Sequence, residues 1–324
     1  MKKEVDWKEQ QERGAHWAFR LTVLTYRVLG RSICALIVYP VASYFYLTGG
    51  KTKKASLAYL QRVYRHPEGR IHFKKKPGFA AGHRHTMSFA FSILDKFGVW
   101  MKRISYKDIV FPGRQELVEL LEQKKGLVLL SAHYGNIEIM RAVSQTISKV
   151  PVNVIMDRKN AESFNRLLKS TNENFDISIF ASDDIDISTA AELKEKISRG
   201  EIVAIMADRI TKGSANRTFL KSFIGEDAPF PQGPFLIPWL LKAPTFMFLC
   251  SKKGKKYEVY CEKFCDVDDF HKLKRNVFVD NICNSYVETL EKHCLKDPWQ
   301  WYNFYDFWKK PEEQTEEKLN KNES

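Results

Sequence analysis

The sequence contains six cysteines but no C-x-x-C pair. Cys261 and Cys265 are separated by three residues, and no second ligand pair accompanies them. The expectation is therefore of idle thiols in a reducing compartment and of no metal or other cofactor. There is no internal repeat, which argues against a solenoid. There is no small-residue cleavage signal after the apolar stretch near the N-terminus, and Arg20, Arg27 and Arg31 precede that stretch, so a secretory signal is not expected. The charge-free window Ser32–Gly50, "SICALIVYPVASYFYLTGG", is 19 residues long, near the length that spans a bilayer, but Pro40 and three tyrosines lower its hydropathy. Acidic residues are scarce in the first third. Through Val110 there are 21 Lys and Arg against 7 Asp and Glu, a net +14, whereas the whole chain carries +13. The remainder is thus nearly neutral, and the basicity belongs to the N-terminal region.

What is present is a globular composition, with 44% apolar and 28% charged residues. A basic N-terminal region suits an anionic partner: nucleic acid, anionic lipid or an acidic carrier protein. No nucleic-acid motif is found, so nucleic acid is not an expected partner. The arginines of this region are interleaved with Trp17, Phe19, Leu21, Leu24, Tyr26 and Leu29. That pattern suits a helix lying in a membrane interface; a bilayer span and a plain core helix are the alternatives. Helical spacing recurs over Lys51–Tyr64 and Phe79–Trp100, so the first hundred residues read as helical. From "GLVLLSAH" onward the pattern changes. Strands "VPVNVIM", "ISIFAS" and "EIVAIMAD" alternate with helix-like "AESFNRLLKSTNENF" and "TAAELKEKISRG", and a hairpin is expected around "KGKK". Alternation of this kind predicts an α/β fold, with a mainly parallel central sheet flanked by helices and an N-terminal amphipathic helical membrane-associated extension. The expected organisation is a basic helical region over 1–110, an α/β core over 111–308 and a disordered tail over 309–324, where no apolar pattern remains.

In open α/β sheets, ligand sites form beyond the carboxyl ends of the strands. In "GLVLLSAHYGNIEIM" His133 falls there, and Glu138 falls in the first turn of the following helix with Asn136 as a plausible N-cap. Gly135 permits a tight turn across which the two can meet. A histidine near pH 7 can take a proton from a hydroxyl, and a carboxylate beside it orients the ring. The ordinary reading, a packed turn with a carboxylate favoured by the helix dipole, stays open at this point. "IMADR" brings Asp208 and Arg209 to the same sheet edge, and "VIMDRKN" brings Asp157, Arg158 and Asn160. In "SFIGEDAPFPQGPFLIPWLLKAPTF" the residues Pro229, Pro231, Gly233 and Pro234 suggest a stiff loop, suited either to lining an acyl groove or to packing on the core.

Together these residues resemble the late acyltransferases of lipid A biosynthesis, the lauroyl/myristoyl acyltransferase family of the lysophospholipid acyltransferase-like superfamily. "AHYGNIE" matches its His-x4-Glu motif at His133 and Glu138. "VIMDRKN" looks like the strand that ends in a substrate-contacting arginine, here Arg158, and "IMADR" like the strand that ends in Asp208. "SFIGEDAPFPQGP" is similar to the F-x-G-x-x-A-x-x-P-x-G loop, at Phe223, Gly225, Ala228, Pro231 and Gly233. The aromatic run "PWQWYNFYDFW" stands where the family has its C-terminal aromatic, basic segment. That run lacks arginine and gains Asp306, and Arg209 stands where lipid A enzymes often have Gln or His; both departures point to a divergent branch. The resemblance implies transfer of an acyl group from an acyl carrier protein (or coenzyme A) thioester to a hydroxyl or amine of an anionic membrane lipid or glycolipid. His133 would be the base and Glu138 its partner. Asn136, Arg158, Asn160, Asp208, Arg209, Phe223, Gly225, Pro231 and Gly233 would contact substrate, with Arg158 or Arg209 meeting an oxyanion or phosphate and Asp208 orienting one of them. The expected location is the cytoplasmic face of the inner membrane, peripheral or held by a single anchor. A thioesterase and a non-catalytic peripheral lipid-binding protein are the competing expectations.

Overall fold

The computed structural model describes residues 7–140, 142–143, 150–158, 177–182, 185–210 and 217–309. Helices α1 (Trp7–Thr48), α2 (Gly50–Arg65), α3 (Pro67–Arg70) and α4 (Phe79–Trp100) come first. Next are β1 (Ile109–Val110), α5 (Gln115–Glu122), β2 (Leu127–Ser131), β3 (Val152–Met156), β4 (Ile177–Ala181), α6 (Ile187–Ser198) and β5 (Ile202–Met206). The chain continues through β6 (Thr218–Phe223), β7 (Glu226–Pro231), α7 (Gln232–Leu241), β8 (Thr245–Lys253), β9 (Lys256–Cys265) and α8 (Arg275–Lys296).

Seven strands form one sheet in the order β1-β9-β8-β2-β5-β3-β4. All pairings in it are parallel except that of β8 with β9, the hairpin expected around "KGKK". Helices cover most of the described residues from 7 to 100, as expected, and the four strands expected after Gly126 are found. The segment expected as the helix "AESFNRLLKSTNENF" lies outside the described residues, as do Asn160 and the tail beyond 309. Strand β2 is central and buried along its whole length. Side-chain alternation sends Val128 and Leu130 into the core beneath α7 and α8, and Leu127 and Leu129 into a second core on the opposite face. Helix α2 is part of the first core through Tyr59, Leu60 and Val63.

One segment differs from its expectation. The stretch read as a stiff proline loop is a β-hairpin, β6–β7, that runs directly into α7. Its turn has Ile224 and Gly225 at φ 52° and 79°, and that pair of positive angles matches the twist of a tight hairpin. Pro229 and Pro231 are accommodated because this sheet has only two strands, so neither proline need donate to a further neighbour.

Helix α1 bends sharply at Gly30, whose φ is 74°. It runs antiparallel along α4: before the bend Tyr26 packs on Phe97, and beyond it Arg31 binds Asp95 and the Tyr46 hydroxyl donates to Phe79 O. The outer face of α1 is apolar and open, with Leu36 74% and Phe45 63% exposed. Gly30–Thr48 is long and apolar enough to cross a membrane, with mean hydropathy 1.2, and only 17% of it is buried.

Candidate active site

Strands β2 and β5 are parallel neighbours with Ser131 opposite Met206. Two residues beyond that pair stand His133 and Asp208, so the register itself brings them together at the carboxyl edge of the sheet. Two parallel contacts join them: the His133 backbone N–H donates to Asp208 Oδ2 at 2.9 Å, and ring Nδ1 meets Oδ1 at 2.8 Å. The indole Nε1 of Trp301 donates to Oδ2, also at 2.9 Å. An ionised carboxylate only accepts, so Nδ1 carries the proton and Nε2 keeps its lone pair. Asp208 is wholly buried, whereas the His133 side chain remains 26% exposed.

Burial holds the His133 pKa below its ordinary 6.5, and Arg209 and Lys96 push the same way; Asp208 opposes them without winning. Burial by itself would raise Asp208. The charge and hydrogen bonds of His133, together with Arg209, outweigh it and hold the carboxyl below the ordinary carboxylate value. The result is an ionised Asp208 beside a neutral His133 at pH 7, the state a general base requires.

The turn after His133 is clamped from both sides. Tyr302 N donates to His133 O, and Gly135 N donates to Gln300 O, both at 2.7 Å; Asn136 N donates to Cys250 O of β8 at 2.9 Å. The backbones are so close that a Cβ on Gly135 would lie 1.7 Å from Cys250 O, and Gly135 also has φ 63°. Only glycine fits there.

His133 and Glu138, expected as a pair, have different hydrogen-bond partners. No hydrogen bond joins them among the described residues; Asp208 occupies Nδ1, and Glu138 Oε2 accepts from Trp100 Nε1 at 2.9 Å. The physical reason is the register: Asp208 lies directly across from His133 on a neighbouring strand, whereas Glu138 follows a turn that is held towards β8 and α4. Asp208, expected to orient an arginine, hydrogen-bonds to the histidine and also feels the charge of Arg209. Asn136 does cap the turn, its Oδ1 accepting from Glu138 N at 3.2 Å. Arg209 Nη2 donates to Tyr302 O at 3.0 Å, and its buried Nε has no partner among the described residues. Arg158 is exposed after β3, one strand beyond β5. Phe223 is core rather than open surface: it is wholly buried and meets Trp301 edge to face, with ring centroids 5.3 Å apart. Pro231 is buried at the end of β7, while Gly225 and Gly233 are exposed.

Sequence reasoning did not single out the residues that support Asp208. Trp301 is buried among Tyr59, Phe223 and Phe307. Its carbonyl accepts from His85 Nε2 at 2.8 Å, and His85 Nδ1 takes the Ser56 hydroxyl at 2.9 Å. A carbonyl cannot donate, so His85 is neutral with its proton on Nε2; burial lowers its pKa to about 4. The signal available was the density of aromatics in "PWQWYNFYDFW", which marks a packed segment without saying which indole faces the site. Phe304 of the same run packs on His85 and Phe89 and forms the inner wall of a cavity of about 850 Å³. The cavity lies between α1 and α4 and is bordered by the apolar side chains Ile37, Val41, Phe45 and Ile93.

Residues 13–310 match the family described as bacterial lipid A biosynthesis acyltransferase. The chain matches no individual curated protein.

Proposed function

The chain belongs to the bacterial lipid A biosynthesis acyltransferase family, and on that premise we propose that it moves a fatty acyl group from an acyl carrier protein thioester to a hydroxyl of a membrane lipid or glycolipid. The observation that carries this reading is His133, with Nδ1 fixed on buried Asp208 and a side chain that stays partly exposed. The acceptor oxygen attacks the thioester carbonyl carbon while its proton passes to Nε2. Asp208 stabilises the resulting imidazolium and keeps the ring in place. The tetrahedral intermediate then expels the thiolate, which takes the proton from Nε2 and leaves as the thiol. Arg209, whose charge already acts on His133 and whose Nε has no partner among the described residues, is the candidate for meeting the oxyanion. Glu138 supports the turn through Trp100.

The apolar cavity between α1 and α4 suits a hydrocarbon chain, being within the range of about 300–1,000 Å³ typical of ligand pockets. The exposed apolar face of α1 and the basic N-terminal third suit the cytoplasmic face of the inner membrane, where anionic headgroups attract Lys and Arg. Labelled acyl carrier protein thioester supplied to wild type and His133→Ala in membranes tests the reading. Label should enter lipid with wild type and not with the variant at equal protein level. Label appearing only as free acid would instead make the protein a thioesterase, and equal lipid labelling by both would remove His133 from the reaction.

A further inference from the structure

On the face of α4 opposite the apolar cavity is a second cavity, of about 410 Å³, with a different character. Arg31, Arg84 and Lys252 line it, together with Asp95, Asp297, Trp299 and Asn136. Arg31 Nε donates to Asp95 Oδ1 at 2.6 Å, and Lys252 Nζ pairs with the other oxygen of the same carboxylate. Two cations thus share one anion. Arg84 is stacked 4.1 Å above the ring of Trp299 and has no ion pair among the described residues. Asp297 does not offset it, because Lys253 Nζ holds Asp297 at 2.9 Å. The cavity therefore carries two positive charges in excess.

Asn136 supplies an independent observation. It is 2% exposed and lines this cavity. Its Oδ1 accepts from Glu138 N, which fixes which way the amide points, and its Nδ2 has no partner among the described residues. A buried amide donor is costly to leave unsatisfied, so its place in a cationic cavity calls for an acceptor from outside the chain. Asn136 is also three residues from His133, which limits the separation of their Cα atoms to roughly 11 Å.

We propose that this cavity binds the phosphate ester of a substrate, held by the excess charge of Arg31, Arg84 and Lys252 and by Asn136 Nδ2. Guanidinium and amide donors around an oxyanion form charge-assisted hydrogen bonds of the stronger kind. The acyl-transfer reading supplies two bearers of such a group, the headgroup of the acceptor lipid and the pantetheine arm of the donor; the proposal rests on that reading only for the choice between them.

Binding to the full chain in detergent micelles, measured by titration calorimetry, tests it without catalysis. Two pairs of probes are compared: dioctanoyl phosphatidic acid with dioctanoylglycerol, and 4′-phosphopantetheine with pantetheine. Wild type should prefer the phosphorylated member of one pair by about tenfold or more, and Arg84→Gln and Lys252→Gln should each reduce that preference to within about threefold. Preference in the lipid pair places the acceptor headgroup in the cavity; preference in the pantetheine pair places the donor there. No preference in either pair, or a preference that survives both substitutions, overturns the proposal. His133→Ala should keep the preference. A protein that shows it yet transfers no acyl group would retain this site and lose the proposed reaction, and one that acylates lipid without any phosphate preference would do the reverse.

Discussion

The two nitrogens of His133 have different duties because only one of them meets a carboxylate. Asp208→Asn replaces an acceptor-only group by an amide that can present a donor to Nδ1, so the ring can take the wrong tautomer. The expected loss in turnover is about 10²–10⁴-fold, the range over which a positioned acid or base contributes, with the fold retained by circular dichroism. Because burial holds His133 below 6.5, the base stays neutral through neutral pH. The acid limb of the rate profile should therefore lie below pH 6.5, and a limb centred above it would contradict the assignment. His85 makes a second pH-dependent contribution, to stability. Its folded pKa of about 4 is below the unfolded 6.5, so the folded state binds fewer protons between those values. Stability is complete above pH 6.5 and is lost progressively as pH falls towards 4, by up to about 3 kcal/mol. His85→Gln keeps a donor and an acceptor without titrating, so chemical denaturation should show a smaller loss over that window than in wild type.

Among the elements, the turn after β2 depends most on a single residue. Gly135→Ala would add both a strained φ and a Cβ 1.7 Å from Cys250 O. The expected destabilisation exceeds about 1 kcal/mol, with activity lost more steeply than stability because the same turn carries His133; denaturant midpoints and turnover measured together check it. This element also shows what the sequence made legible. That a strand ends just before His133, that this end is the site edge and that Gly135 suits a tight turn all follow from local pattern. The partner of His133 does not, because local pattern cannot say that β5 rather than β3 lies beside β2, and that adjacency places Asp208 across from the histidine. The β6–β7 hairpin was missed for a related reason. Prolines usually argue against strands, and that argument weakens where a two-stranded sheet leaves an edge on each side. The aromatic run near the C-terminus was visible as composition, but the contact of the Trp301 indole with Asp208 is a tertiary fact.

For the whole molecule, the apolar helix and the basic charge occur in the same N-terminal region. The outer face of α1 leaves Leu36 and Phe45 largely uncovered. Leu36→Glu with Leu47→Glu, two exposed positions that do not line the apolar cavity, should weaken binding to vesicles of anionic phospholipid by at least about tenfold, since burying one large apolar side chain contributes roughly 1.5–3 kcal/mol; vesicle flotation measures this directly. Turnover on a short-chain, dispersed acceptor should be far less affected, because neither residue contacts the dyad. The most direct test of the account compares acyl transfer from labelled acyl carrier protein into membrane lipid by Asp208→Asn and by Glu138→Gln, each against wild type at equal protein level. If the buried aspartate is the partner of His133, Asp208→Asn should lose at least about a hundredfold in rate, while Glu138→Gln, which keeps an acceptor for Trp100, should lose much less. A crippled Glu138→Gln beside an active Asp208→Asn would contradict the dyad.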